Sequence, residues 1–469
     1  MSDYSGASSM IGKIKRAAID CYMTDESNYY EIDGDRYRYR GSARGSTQYC
    51  SRPGSDGEGG GDASISGLPD FLVNHLDAQW RAAFDSIRGQ VDDIFKDLKG
   101  VPTGTSLYFE ETRAMSAAEM LTPRGATTAL TPGGGSALSL NNPQLSQRVN
   151  AVHGYCYRLS SQTIDAFRQR YADRLGAILD GQAALAATLG MAAAGQVAVF
   201  QKLREDIAKF ADEALYSLET LAGENQTSTG TGAPFAVGGA LLSIASLSTG
   251  PGAAALATAG AISGLISDLW PDPPAKKTVT FGGGNVDAVL QSMSDGKTKI
   301  LETPLDDETA IETALKNAHE AVRSMPGAFD IARPNYPGGG GTNETVGGPG
   351  TIQQNHDDMQ RLAATCELVS EVVHEAKSYV SNADQGSGEW NRPAGIGLGT
   401  TGPYSAFNDL AADVVVLTRN TAEELGEAAT KLIKASLNFQ ATDGEIASTL
   451  GREASELRQA EEDGDLLFD

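Results

Sequence analysis

The chain has 469 residues, about three times the length of a typical single domain, and with 54 glycines and only 7% aromatic residues its bulky core side chains are thinly spread. Lys and Arg total 37 against 61 Asp and Glu, and the formal charge of −24 argues against duplex nucleic acid or anionic lipid headgroups as the main electrostatic partner. Cys21, Cys50, Cys156 and Cys366 are too scattered for a disulfide scaffold and lack the CxxC spacing of common zinc sites, and five separated histidines leave little for a metal or acid–base centre. The expectation is an acidic, helical, non-enzymatic protein with no cofactor, no metal and no nucleic-acid partner.

From Met1 to Glu26 there is no apolar core of about 7–15 residues, so no cleavable signal peptide is expected. Either the protein stays in the cytosol or it leaves by a route that reads no N-terminal signal. Tyr29–Arg40, YYEIDGDRYRYR, alternates Tyr37 and Tyr39 with Arg36, Arg38 and Arg40 after Asp33-Gly34, which predicts a small β-hairpin. Gly54–Asp62, GSDGEGGGD, has the composition of a flexible linker, completing an N-terminal segment over 1–62.

Over 63–143 we expect one helix, Leu68–Lys99, and then a Pro/Gly connector. Leu72, Leu76, Trp80, Phe84, Ile87, Val91, Ile94 and Leu98 recur at steps of four and three and share a face. The unit 144–223 contains no proline and carries two stripes, Ile164–Ile178 and Val197–Leu218, on either side of Gly190-Met191-Ala-Ala-Ala-Gly195. That patch fits a turn between two antiparallel helices or a close-packing segment inside one; the unit is taken as a long helical hairpin, with one helix or two left open over 163–221.

The unit 224–275 is an apolar hairpin rich in Gly and Ala, uncharged from Asn225 to Ser267. Phe235, Leu241, Leu242, Ile244 and Leu247 mark one half, and Ile262, Leu265 and Ile266 the other. Each half is shorter than the ~20 residues of a spanning helix, so a buried helical pair and a membrane-entering hairpin are both readings of it. Short helices at Val286–Ser294 and Asp306–Arg323 and a linker at Pro334–Gly350 make up 276–350.

Residues 351–450 carry the strongest signal. Met359, Leu362, Cys366, Val369, Val373, Ala376 and Val380 step by three and four, and Phe407, Leu410, Val414, Leu417, Thr421, Leu425, Ala428, Leu432, Ala435 and Phe439 do nearly the same. Each is a helix with one narrow apolar seam. Ser387–Tyr404, SGEWNRPAGIGLGTTGPY, lies between them, with Trp390 and Gly395 in the turn that an antiparallel pair requires. The seams need cover, either from the stripes of 144–223 or from another protein.

With these features the C-terminal module resembles the helical-hairpin proteins of the type VII (ESX) secretion pathway of actinobacteria, the WxG-type and related excreted proteins. Those proteins carry a Tyr-x-x-x-Asp/Glu secretion signal at the end of the second helix. The matching residues here are Phe439 and Asp443, with Phe in the Tyr position, and Asn391-Arg392 follows Trp390 in place of x-Gly. The resemblance implies export without a cleavable signal peptide, a secreted or envelope-associated location, and partners in the secretion machinery or a second helical protein, with self-association as a further option.

Other motifs point to little chemistry. Gly296-Lys297-Thr298 lacks the glycine that a phosphate loop needs at position 291, which is Gln291. Thr278–Leu290 passes from strand to helix without GxGxxG spacing. His153 and Cys156 stand three apart on a helix with nothing to orient the histidine, and Asp33/Asp35 and Asp463/Asp465 flank a turn and the acidic tail 451–469. The expected fold is all-α: long antiparallel helical hairpins or a helical bundle, Gly-rich linkers and the small β-hairpin. A second resemblance, to helical pore-forming toxins, makes membrane insertion through the Gly/Ala-rich hairpin the alternative function; a cytosolic helical scaffold is the third.

Overall fold

The computed structural model describes residues 7–25, 28–41, 48–66, 70–123, 126–128, 138–159, 162–223, 235–237, 277–279, 282–332, 356–383 and 386–462. These residues are largely helical, with a four-stranded antiparallel sheet near the N-terminus.

Helix α1 (Ala7–Thr24) precedes strands β1 (Tyr30–Asp33), β2 (Arg36–Tyr39), β3 (Gln48–Ser51) and β4 (Ala63–Ile65), which pair in that order. The hairpin expected at Tyr29–Arg40 is β1–β2, with Tyr30 opposite Tyr39 and Gly34 at φ +63° in the turn. Two further strands, too short to show alternation, extend it. The glycine run 54–62 differs from a free linker: Arg88 donates to the carbonyls of Gly57 (2.8 Å) and Gly59. A Cβ on Gly57 would strike Gly12 and Lys15, so the missing side chain is what lets this loop lie on α1. Beneath the sheet, Tyr37 Oη donates to Asp20 (2.6 Å) and Arg52 Nε donates to the same carboxylate (2.8 Å), all three residues being buried or nearly so.

Helix α2 (Asp70–Lys96) runs into a 3₁₀ turn, Asp97–Gly100. Its predicted stripe is buried from Phe84 to Leu98, while Leu72 near its start is 40% exposed. Helix α3 (Leu107–Leu121) occupies part of the expected connector. Leu107, Glu110, Ala114, Ala117, Ala118 and Leu121 form its buried face, with helical spacing that small residues and flanking prolines disguise. The remainder of that connector contains β5 (Ala126–Thr128) paired with β6 (Leu138–Leu140).

Helix α4 (Pro143–Arg158) starts at Asn142, whose side chain accepts from the Leu145 amide. Helix α5 (Gln162–Phe167), a π turn (Arg168–Ala172) and α6 (Asp173–Leu221) then follow one another without a break. The hairpin expected over 144–223 is therefore corrected: the Gly190–Gly195 patch lies inside one helix. The reason is packing, since every residue from Gly181 to Val197 is buried and Met115 of α3 fills the space a side chain on Gly190 would need.

Strand β7 (Phe235–Val237) pairs with β8 (Lys277–Val279). Helix α7 (Val286–Ser324) is a single element with Pro304 buried inside it, which corrects the two short helices expected there; Asn285 caps it through the Ala288 amide. A short helix α8 (Pro326–Phe329) ends this stretch. The linker expected at Pro334–Gly350 lies outside the described residues.

Helices α9 (His356–Ala383) and α10 (Tyr404–Glu462) pack on each other, with Ser370 donating to the Ala422 carbonyl at 2.7 Å. The seam of α9 from Met359 to Val380 is buried throughout, as is that of α10 from Phe407 to Leu432. Cover comes from the same chain, as helices α3 and α4 lie on α9 and helices α6 and α7 on α10. Gln182 of α6 donates to Thr421 Oγ1 (2.8 Å) and to the Leu417 carbonyl (3.2 Å), and Tyr171 donates to Glu424 (2.7 Å). The result is a helical bundle around α6. Because α10 continues to Glu462, residues 451–462 of the expected tail are helical.

Candidate functional site

The connection between α9 and α10 gathers the motif residues of the C-terminal module. A 3₁₀ turn, Ser387–Trp390, delivers the Trp390 indole into the core, where its ring lies 5.2 Å from Phe407 and 6.1 Å from Tyr404 between centroids. Its Nε1–H donates to Glu110 Oε2 of α3 at 2.9 Å, satisfying the only polar atom of a fully buried ring. Gly395 faces open space, and a Cβ there would meet nothing.

Two residues after Trp390, Arg392 turns inward and no part of its side chain reaches solvent. Nη2 donates to Glu308 Oε2 of α7 at 2.5 Å and Nε donates to the Ile396 carbonyl at 3.1 Å. Glu308, equally buried, also accepts from the Leu398 amide (2.8 Å) and, through Oε1, from Gln196 Nε2 of α6 (2.8 Å). The guanidinium carbon sits 5.8 Å from the centre of the Phe200 ring. Gly397 (φ +53°) and Gly402 (φ +52°) permit this geometry, because side chains there would run into Glu308 and the guanidinium respectively. Burial pushes the Glu308 carboxyl above its ordinary value and the Arg392 guanidinium below its own, each against the attraction of the other.

Phe439 and Asp443 both lie in α10, four residues apart and so on one helical face; their side chains fall outside the described residues. Just before them Ile433 and Leu437 are 41% and 53% exposed. Of the apolar residues singled out between 235 and 266, Phe235 lies in β7, while Leu241, Leu242, Ile244, Leu247, Ile262, Leu265 and Ile266 lie outside the described residues. One described helical stretch, Ile164–Leu221, is long and apolar enough to cross a membrane, and it is buried in the bundle.

The remaining motifs take structural places. Cys156 and Cys366 are buried, and burial pushes each thiol up to about 12, which keeps both protonated near neutral pH. His153 Nδ1 stands 3.9 Å from Asp173 on the bundle surface. Lys297 is inside α7, where it pairs with Asp97 at 2.6 Å and donates to the Asp93 carbonyl. Among the described residues no group of three or more His, Cys, Asp or Glu could hold a metal ion.

Comparison with protein-family models, curated proteins and solved structures finds no match. What sequence reasoning missed is the polar set joining Trp390 and Arg392 to Glu110, Gln196 and Glu308. The Asn391-Arg392 departure from the family turn was its one local trace.

Proposed function

We propose that the chain is a helical substrate or structural component of a type VII (ESX) secretion pathway, exported through Phe439 and Asp443 and acting by protein–protein or envelope contact. The observation that carries the reading is the length of α10. At 59 residues it is more than twice the 28 of α9, so in an antiparallel pair its last turns run on past their partner. Phe439 and Asp443 are positions on that excess, four apart in the helix, the spacing that an aromatic-x-x-x-acid signal for the export machinery requires. Replacing both by alanine in the native host should abolish release while leaving the cellular amount unchanged. Unchanged release of that variant would remove the reading.

A second reading, membrane insertion, is favoured by the β7–β8 pair. Pairing Phe235–Val237 with Lys277–Val279 brings together the flanks of residues 238–276, which carry no charge up to Ser267, as a hairpin delivered to a bilayer requires. Purified protein and dye-loaded vesicles test it across a pH series, since acid neutralises part of the −24 charge and favours approach. Neither leakage nor flotation at any pH would leave this segment as packing material, and failure of both assays would favour the cytosolic scaffold.

A further inference from the structure

The Trp390–Gly402 connection is tied to three elements remote from it in sequence. Trp390 donates to Glu110 of α3, Arg392 to Glu308 of α7, and Glu308 is held in turn by Gln196 of α6. We propose that this connection is a folding-dependent lock: it fastens the signal-bearing helix α10 to the body of the chain only when α3, α6 and α7 are assembled, so that export selects the folded protein.

The physical basis is that neither charge can occupy the site alone. Arg392 and Glu308 are both completely out of solvent, and removing one partner from such a pair costs several times what the intact pair contributes. The carboxylate takes three donors, one each from α6, the guanidinium and the Leu398 amide. A body lacking α6 or α7 therefore presents the connection with an incomplete acceptor site, and Arg392 stays in water. The fit is also steric, since Gly397 and Gly402 leave the guanidinium and carboxylate the space they fill. Trp390 adds a second closure next to the first, through α3, and packs at a tilt against Phe407 in the opening turn of α10. Once closed, the lock fixes the start of α10, and Gln182 with Thr421 and Tyr171 with Glu424 hold its middle. Phe439 and Asp443 come after these contacts in α10.

The consequence for export rests on the reading of Phe439 and Asp443 given above, and the experiment separates the two. Hydrogen–deuterium exchange over 387–432 in the full-length chain is compared for the wild type, Glu308→Lys and the charge-reversed pair Glu308→Arg/Arg392→Glu. Release from the native host is measured for the same proteins and for F439A/D443A. Glu308→Lys should exchange on the order of a hundredfold faster and be retained in the cell, and the reversed pair should recover part of both losses. If Glu308→Lys does not accumulate, Arg392→Ala, which leaves a carboxyl able to neutralise itself, takes its place with the same expectations.

Exchange at the wild-type rate in the variants would overturn the lock. Wild-type release of a fast-exchanging variant, with F439A/D443A retained, would overturn the coupling to export alone. Wild-type release of F439A/D443A would overturn the export reading, and the coupling with it.

Discussion

The N-terminal unit and the helical bundle each bury a carboxylate–arginine pair, and they do so across very different stretches of chain. Near the N-terminus, Asp20 collects Tyr37 and Arg52, 17 and 32 residues away. In the bundle, Glu308 collects Arg392 and Gln196 across 84 and 112 residues, and Trp390 reaches Glu110 across 280. The first network needs only α1 and the first three strands; the second needs nearly the whole chain. Closing long loops must be offset before distant contacts repay it, so the N-terminal unit is expected to form early and the lock late. Similar chemistry is thus closed locally near the N-terminus and across distant elements in the bundle.

The largest effect should come from unbalancing the distant pair. Glu308→Lys places two cations in one dry site and should cost at least about 3–5 kcal/mol in chemical denaturation. Replacing both partners by apolar residues of similar volume, Glu308→Leu/Arg392→Met, should cost less than Glu308→Lys, because the burial cost of both charges disappears while Gln196 and the Leu398 amide lose their acceptor. A large loss in that double variant would show that the pair adds net stability and would blur the contrast with the N-terminal network.

Tyr37→Phe tests the local network. Losing a hydrogen bond to a charged acceptor should cost about 1.5–3 kcal/mol. The loss should appear in exchange over 7–66 while α6 keeps its protection; spreading of the effect to α6 would merge the two regions into one cooperative unit. A pH series sharpens the contrast further. Burial raises the Glu308 carboxyl in the folded state, so its ionised form is the costly one. Its contribution is most favourable below the unfolded carboxylate value and declines as pH rises through the folded one. The stability of wild type relative to Glu308→Leu/Arg392→Met should therefore fall from about pH 4 towards neutrality, measured by melting temperature. The smallest effect belongs to Leu72→Ala, on the exposed start of α2, which should stay within about 0.5 kcal/mol of wild type.

The same contrast governs what was legible in the sequence. The seams of α9 and α10 were readable because a narrow apolar line at steps of three and four matches the helical period and not the alternation of a strand. That the seams need cover was readable, with 144–223 or another protein to supply it; the part that α3 and α7 take in it was not. The β1–β2 hairpin was readable from Tyr/Arg alternation around Asp33-Gly34. Helix α3 was not, because half of its buried face is alanine and it lies between glycine- and proline-rich stretches. Over Gly181–Val197, α6 is apolar all round, so no period distinguishes a turn from a buried helix; only the neighbours that enclose it decide. Arg392 looked like a departure from a turn motif. Its partner lies on another helix, and local pattern carries no information about that distance.

Gly397 and Gly402 give the connection an unusual kind of fragility. The ion pair sits in volume that two absent side chains vacate, so a single added methyl group, which changes neither charge nor hydrogen bonding, meets a carboxylate at one position and a guanidinium at the other. Both glycines also hold backbone angles that an L-residue adopts only under strain. The mildest chemical edit available in this loop, a hydrogen exchanged for a carbon, is therefore enough to evict two full charges from the interior.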